Sequence, residues 1–369
     1  MTSQTDLNAR TLALLDPEAT VELARALIRT PSVTGREGTA ISELIAAWFR
    51  ERDIAAELQL LEPGRANVIA SIGDGAGPTL LFNGHLDTKP YDNMTIDPLA
   101  ADIRGGRLYG RGACDMKSAL AAFMVAMSAI RRSGVRLAGR LVFGSEVGEE
   151  GGGWRLIDLL DGTGRADAVI CGEPTGLELH IGNRGWFQMN VSTRGIATHS
   201  GTAHRGVNAI EKMARVVGAI YAMPCFQRSN PIWGRSPVNA QYIHGGGKVS
   251  GAVADECEAH FDIRLNPDLP PAELARELDL LLDALRASDP DLQVEWAYRP
   301  DWPKDLPASA PAVHLPVEHP FVESVAAAYR DAMGEEVRFG GFPGGCAAGI
   351  CLERGTPAVV IGPGSLAQA

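Results

Sequence analysis

Two helix-period stretches open the chain. DPEATVELARALIRT (16–30) sets Val21, Ala24, Leu27 and Ile28 on one face behind an Asp-Pro start, and REGTAISELIAAWFRER (36–52) repeats the pattern; both predict amphipathic helices. The period then shortens. ANVIASIG (66–73) and PTLLFNGHLDT (78–88) read as strands, the second apolar up to Phe82 before it opens into Asn83-Gly84-His85. SALAAFMVAMSAIRRS (118–133) is apolar around most of its circumference and predicts a buried helix. RLVFGSEVGEEGG (140–152) and ADAVICGEPT (166–175) are further buried strands releasing into acidic residues. Strand and helix in alternation predict an α/β fold with a mostly parallel, twisted sheet flanked by helices. Such sheets carry their chemistry beyond the carboxyl ends of the strands.

After Gly182 the pattern changes. GWFQMNVST (185–193) alternates, RGVNAIEKMARVVGAIYAM (205–223) is helical, and CEAHFDIRL (257–265) alternates again. ELARELDLLLDALRAS (273–288) is a second helix and DLQVEWAYR (291–299) a last strand. This suits a β-α-β-β-α-β, ferredoxin-like α+β insertion. RPDWPKDLPASAPAVHLP (299–316), with five prolines, reads as the linker back, and HPFVESVAAAYRDAMG and TPAVVIGPG complete the first domain. The expected division is 1–182 with 299–369 for one domain and 183–298 for the other.

Composition narrows the function classes. A net charge of -11 without a Lys/Arg run argues against nucleic-acid and anionic-membrane partners. The six cysteines are scattered with no CxxC spacing, which suits free thiols in a reducing compartment. Neither a signal peptide nor an apolar run near 18 residues is evident, so a cytoplasmic protein is expected.

The chemistry concentrates in His85-Leu86-Asp87, Asp115, Glu149-Glu150 and Glu173, each just past a predicted strand or in the loop that follows one. Singly, each has a plain explanation: a loop histidine beside an incidental Asp, a turn residue, a solvated acidic pair, a helix cap before Pro174. Together on one sheet edge they form a set of one imidazole and several carboxylates that suits zinc, with cobalt or manganese as substitutes. Asp87 is placed to hold the His85 imidazole from outside the ligand set. Of Glu149 and Glu150, one can bind metal while the other works as general base toward an activated water.

NGHLDT, GRGACDMKSA, SEVGEEGG and CGEPT, in this order and spacing, resemble the co-catalytic zinc aminoacylase and exopeptidase family. This family includes acetylornithine deacetylases, succinyl-diaminopimelate desuccinylases and carboxypeptidases. ATHSGTAHRGVNAI and FDIRL resemble its lid, and IGPGSLAQA is most similar to the acetylornithine deacetylase branch. The resemblance implies a di-zinc catalytic domain with a lid and dimerisation domain. It implies His85 and Glu173 on a first zinc, Asp115 bridging, Glu150 on a second zinc, Glu149 as general base and Asp87 orienting His85. It further implies a cis Asp115-Met116 peptide, His199 polarising the scissile carbonyl, in the family often across a homodimer interface, and Arg264 clamping a substrate carboxylate. The activity implied is hydrolytic removal of an acyl group from an N-acyl amino acid, with dipeptide or carboxypeptidase-type hydrolysis as the alternative.

Three departures bear on activity. Ser250-Gly251-Ala252-Val253-Ala254 lacks the family's lid Asn, Ala347 stands where relatives carry Asp or Glu, and the sequence stops at Ala369 before the C-terminal His expected on the second zinc. A weakly occupied second site, or a non-catalytic ligand-binding relative, is therefore a further expectation.

Overall fold

The computed structural model describes residues 4–369 except 74–76, 93, 153–154, 165, 248 and 301–306, with side chains from Asn8 onward. Two compact units emerge. The first comprises Met1–Gly182, His314–Phe342 and Cys346–Ala369; the second comprises Asn183–Val313 and Pro343–Gly345. The second unit runs past residue 298 because Ser309–Ala310 pairs antiparallel with Phe187 and Trp186. Of the proline-rich stretch expected as a linker, 301–306 lies outside the described residues.

In the first unit Asp16 caps helix Pro17–Arg29, its Oδ1 accepting the Ala19 N–H at 3.0 Å. Leu23, Ala24, Leu27 and Ile28 are buried, whereas Val21, expected on that face, is exposed. The next helix starts only at Ala40 and buries Ile41, Ile45, Ala46 and Phe49. Glu37, expected inside it, instead turns to Arg65, with Oε2 2.7 Å from Nε and Oε1 2.8 Å from an Nη.

The main sheet runs Ala55–Glu62, Arg65–Ile72, Arg140–Glu146, Thr79–His85, Ala168–Cys171, Ala358–Val360, Leu179–Asn183, with short strands at that last edge. It is mixed. The four middle strands are mutually parallel, and the flanking pairings are antiparallel. Parallel strands buried on both faces account for the apolar runs. Helix Ser118–Ser133 packs beneath them with Leu120, Ala121, Met124 and Met127 buried. Its extended span Ala113–Ser133 is long and apolar enough to cross a membrane, a run the sequence reading passed over, but here it belongs to the core.

The second unit carries an antiparallel sheet in the order Val238–Gly246, Glu256–Leu265, Gly185–Arg194, Gln293–Tyr298. Helices Ala209–Tyr221 and Pro271–Ser288 cover one face over Phe187, Met189, Val191, Phe261 and Ile263. Counting strands by sequence, the order is 2-3-1-4, that of a split β-α-β pattern.

The Phe143 ring lies 5.0 Å from Phe49 and is fully buried. Phe143→Ala leaves a cavity under the strand that leads to Glu149, and a loss of about 3–5 kcal/mol is expected in a denaturant melt. A change below about 1 kcal/mol would show that this packing does not anchor the sheet.

Candidate metal centre

His85 ends the third strand of the chain, with Glu146 its partner across the parallel ladder. Glu149 and Glu150 follow in one turn of 3-10 helix, Glu149–Gly151. Glu173 lies just past Cys171, whose strand pairs with Asn83 on the other side. Three adjacent strands therefore deliver one imidazole and three carboxylates to one edge. Asp115 arrives differently, in the loop before the buried helix, where the Asp115-Met116 peptide is cis. Lys117 fastens that loop: its buried ammonium donates to the Leu27 and Thr30 carbonyls, each at 2.9 Å. Gly84 lets the loop approach the strand, since a Cβ there would meet Met116 Cε at 2.5 Å.

Within this frame His85 Nε2 lies 3.0 Å from Asp115 Oδ1 and 3.8 Å from Glu173 Oε1. The candidate ligand atoms of His85, Asp115 and Glu173 all fall within 4.8 Å of one another. Nδ1 of His85 faces the Asp87 main-chain carbonyl at 2.9 Å, which leaves Nε2 as the ligand atom. The set fits a borderline divalent ion: buried, converging, and anionic around one imidazole.

Asp87 works through its carbonyl on His85; its carboxylate is 3.7 Å from Nδ1. That carboxylate accepts the N–H groups of Glu149 at 3.2 Å and Glu150 at 3.1 Å, and the Thr34 hydroxyl at 2.6 Å. It thus fixes the turn that carries both glutamates. Glu150 points its carboxylate at Lys89, with Oε2 2.9 Å from Nζ, and Lys89 also donates to the Glu150 main-chain carbonyl.

Desolvation of the buried carboxyls dominates the electrostatics, with like charges adding to it. Burial pushes Glu149 up to about 7, opposed by His85 and helped by Glu150, Asp87 and Asp115. Burial likewise raises Glu146 to about 8 against its Asn83 hydrogen bond. Glu173 is held well above the carboxylate range by burial, which outweighs His85, and by Glu149 and Asp115. Burial disfavours the His85 cation, yet the Asp115 hydrogen bond and the charges of Glu173 and Glu149 hold its pKa well above the usual value. Asp115 is lowered, burial being overcome by His85.

His199 and Arg264 belong to the second unit. His199 precedes the turn Ser200–Arg205, its Nδ1 accepting the Gly201 N–H at 3.1 Å. Arg264 is engaged by Asp262 at both ends of its fork, Nε to Oδ1 and Nη2 to Oδ2, each 2.9 Å. Ala347 is buried among Cys346, Ala348 and Cys351 at the start of helix Ala347–Glu353. Sequence reasoning missed Thr34, Lys89, Lys117 and Glu146. Lys89 and Lys117 each stand two residues after a flagged aspartate, a signal available in HLDTK and CDMK. Thr34 and Glu146 are set by tertiary contact and had no such signal.

Residues 81–369 match the sequence profile of peptidase family M20/M25/M40. The chain belongs to this family. An acetylornithine deacetylase of Photorhabdus laumondii is 28% identical over 370 residues, spanning 95% of this chain and 90% of the relative. Among solved structures, a Staphylococcus aureus tripeptidase superposes with a TM-score of 0.72 at 20% identity, over 95% of this chain and 90% of that one. A hydantoinase/carbamoylase family amidase from Burkholderia ambifaria gives 0.70 at 18%, over 98% and 93%. As a member of the M20 family, the chain is a metal-dependent hydrolase acting on amide bonds.

Glu146 and Glu149 hold their protons more tightly folded, at about 8 and about 7, than at the ordinary 4.5. The metal-free folded chain therefore carries more protons than the unfolded chain between these values, and stability falls as pH rises through that window. His85 and Glu173 act in the same direction; Lys117, lowered by burial to about 7, opposes them only toward the top of the window, while Asp115 acts below its ordinary 3.8, outside it. The melting temperature of metal-free protein is expected to drop from pH 5.5 to 7.5. Added zinc should restore more at 7.5 than at 5.5 and release protons in calorimetry. A melting temperature that rises across this range without metal would contradict the assignment.

Proposed function

We propose that the chain is a zinc-dependent amidohydrolase removing an acyl group from an N-acyl amino acid, with His85, Asp115 and Glu173 holding the ion. The observation that carries this reading is Glu149. It is a largely desolvated carboxyl with its pKa near 7, on a turn fixed by Asp87 beside the ligand trio, the protonation behaviour suited to a general base at neutral pH. When bound, a divalent ion there supplies Lewis acidity that lowers the pKa of water and polarises a carbonyl.

Glu149 then takes the proton of the attacking water and returns it to the leaving amine. His199, whose Nδ1 accepts the Gly201 N–H, carries its proton on Nε2 and can donate to a developing oxyanion. Arg264 offers a planar fork to a substrate carboxylate, with Asp262 as the partner that such a group must share or replace. Similarity to an acetylornithine deacetylase over 95% of the chain supports acyl removal over peptide cleavage. A second ion would lean on Asp115 and Glu150, the latter already facing Lys89.

We also infer a homodimer through the second unit. Strand Val238–Gly246 lies at the edge of its sheet, and Ile243 on it and Ile210 and Tyr221 on helix Ala209–Tyr221 are exposed apolar residues of the kind that pairing would cover. The free, mostly buried cysteines suit a reducing compartment.

The test is hydrolysis of a panel of N-acyl amino acids and dipeptides with added zinc or cobalt. Glu149→Gln is expected to retain metal while kcat falls about 10²–10⁴-fold. Near-wild-type turnover would sink its role. Arg264→Ala should raise KM for carboxylate-bearing substrates by about tenfold with kcat little changed; equal loss on substrates lacking the carboxylate would remove the clamp. Preference for dipeptides throughout the panel would replace deacylation by peptide cleavage.

A further inference from the structure

Lys89 lies where the second positive charge of the centre is needed. Its Nζ is 2.9 Å from Glu150 Oε2 and also donates to the Glu150 main-chain carbonyl. The Glu150 side chain is only 9% exposed, so its carboxylate keeps little water and needs a cation close by. Among the described residues, one cluster of ligand atoms is close enough to hold an ion, His85, Asp115 and Glu173; Glu150 is not part of it. Lysine donates hydrogen bonds and has no lone pair while charged, so it neutralises Glu150 without joining a coordination shell.

We propose that Lys89 is a built-in substitute for the second metal ion: this chain binds one divalent ion tightly, at His85, Asp115 and Glu173, and the Lys89 ammonium is the counter-cation of Glu150. The proposal rests on reading that trio as the metal centre, and on no assumption about substrate. Because 55% of the Lys89 side chain is exposed, the pairing is exchangeable, and Lys89 can be replaced without disturbing the core.

The test is metal stoichiometry on purified, stripped protein reloaded with cobalt(II), read by calorimetry and elemental analysis without substrate. Wild type should bind one equivalent tightly. Lys89→Met, similar in length and uncharged, should bind a second equivalent at least tenfold more tightly than wild type, with exchange coupling between two cobalt ions in paramagnetic resonance. Glu150→Gln should leave the affinity for the first equivalent within about twofold, since a charge partner of lysine is not a ligand. Two equivalents of similar affinity in wild type overturn the proposal, as does Lys89→Met that remains at one, or Glu150→Gln that loses the first ion. His85→Ala separates the two levels: if it still binds the first equivalent as wild type does, the trio itself is misassigned, whatever Lys89 does. Circular dichroism on each variant confirms that the fold is retained.

Discussion

Four acidic side chains and one histidine share a buried sheet edge, and they cannot all be charged without a cation among them. Glu146, Glu149 and Glu173 hold their protons because desolvation, reinforced by neighbouring carboxylates, disfavours their charged forms, and His85 holds its own because Asp115 and the nearby glutamates outweigh its burial. The rest of the first unit sustains that unfavourable arrangement. The parallel strands fix where the acids emerge, and Lys117 ties the Asp115 loop to the end of helix Pro17–Arg29. An ion relieves the repulsion that the fold maintains, so metal affinity is stored in the metal-free protein as electrostatic strain.

Asp87 shows how narrowly the geometry is set. One residue supplies a carbonyl to the histidine and a carboxylate to two successive amides and a hydroxyl. The orientation of a ligand and the placement of the base are therefore not independent. A shift in the Glu149–Glu150 turn is transmitted to His85 through a single residue, and conversely. The M20 family fold provides the frame, but this junction provides the alignment.

Much of this was legible in the sequence. The helices Pro17–Arg29 and Ser118–Ser133 are plain from apolar spacing, and the polar releases after Phe82, Phe143 and Cys171 mark the sheet edge where His85 and Glu173 converge. What escaped was set by contact between distant segments. Thr34 reaches Asp87 only because the chain after helix Pro17–Arg29 folds back over it, and Glu146 is buried by its place in the middle of a sheet, not by its neighbours in sequence. The antiparallel edges also escaped, since a strand's direction leaves no mark on its hydrophobic pattern. Val21 sits within a helical face yet faces outward, because apolar periodicity cannot say how far the buried stripe extends around the helix.

The strand Ala358–Val360 is wedged between Ala168–Cys171 and Leu179–Asn183, with the entire second unit intervening in the chain. The Gly362 carbonyl and N–H then brace the Thr175–Leu177 turn just beyond Glu173. On the ribosome, the second unit has all of its four main strands and both helices before this strand is made. The first unit must wait with a gap in its sheet, and pairings of such long range form slowly. The metal centre is thus among the last features to mature during synthesis, and an ion arriving earlier meets an edge whose third strand is still unsupported on one side.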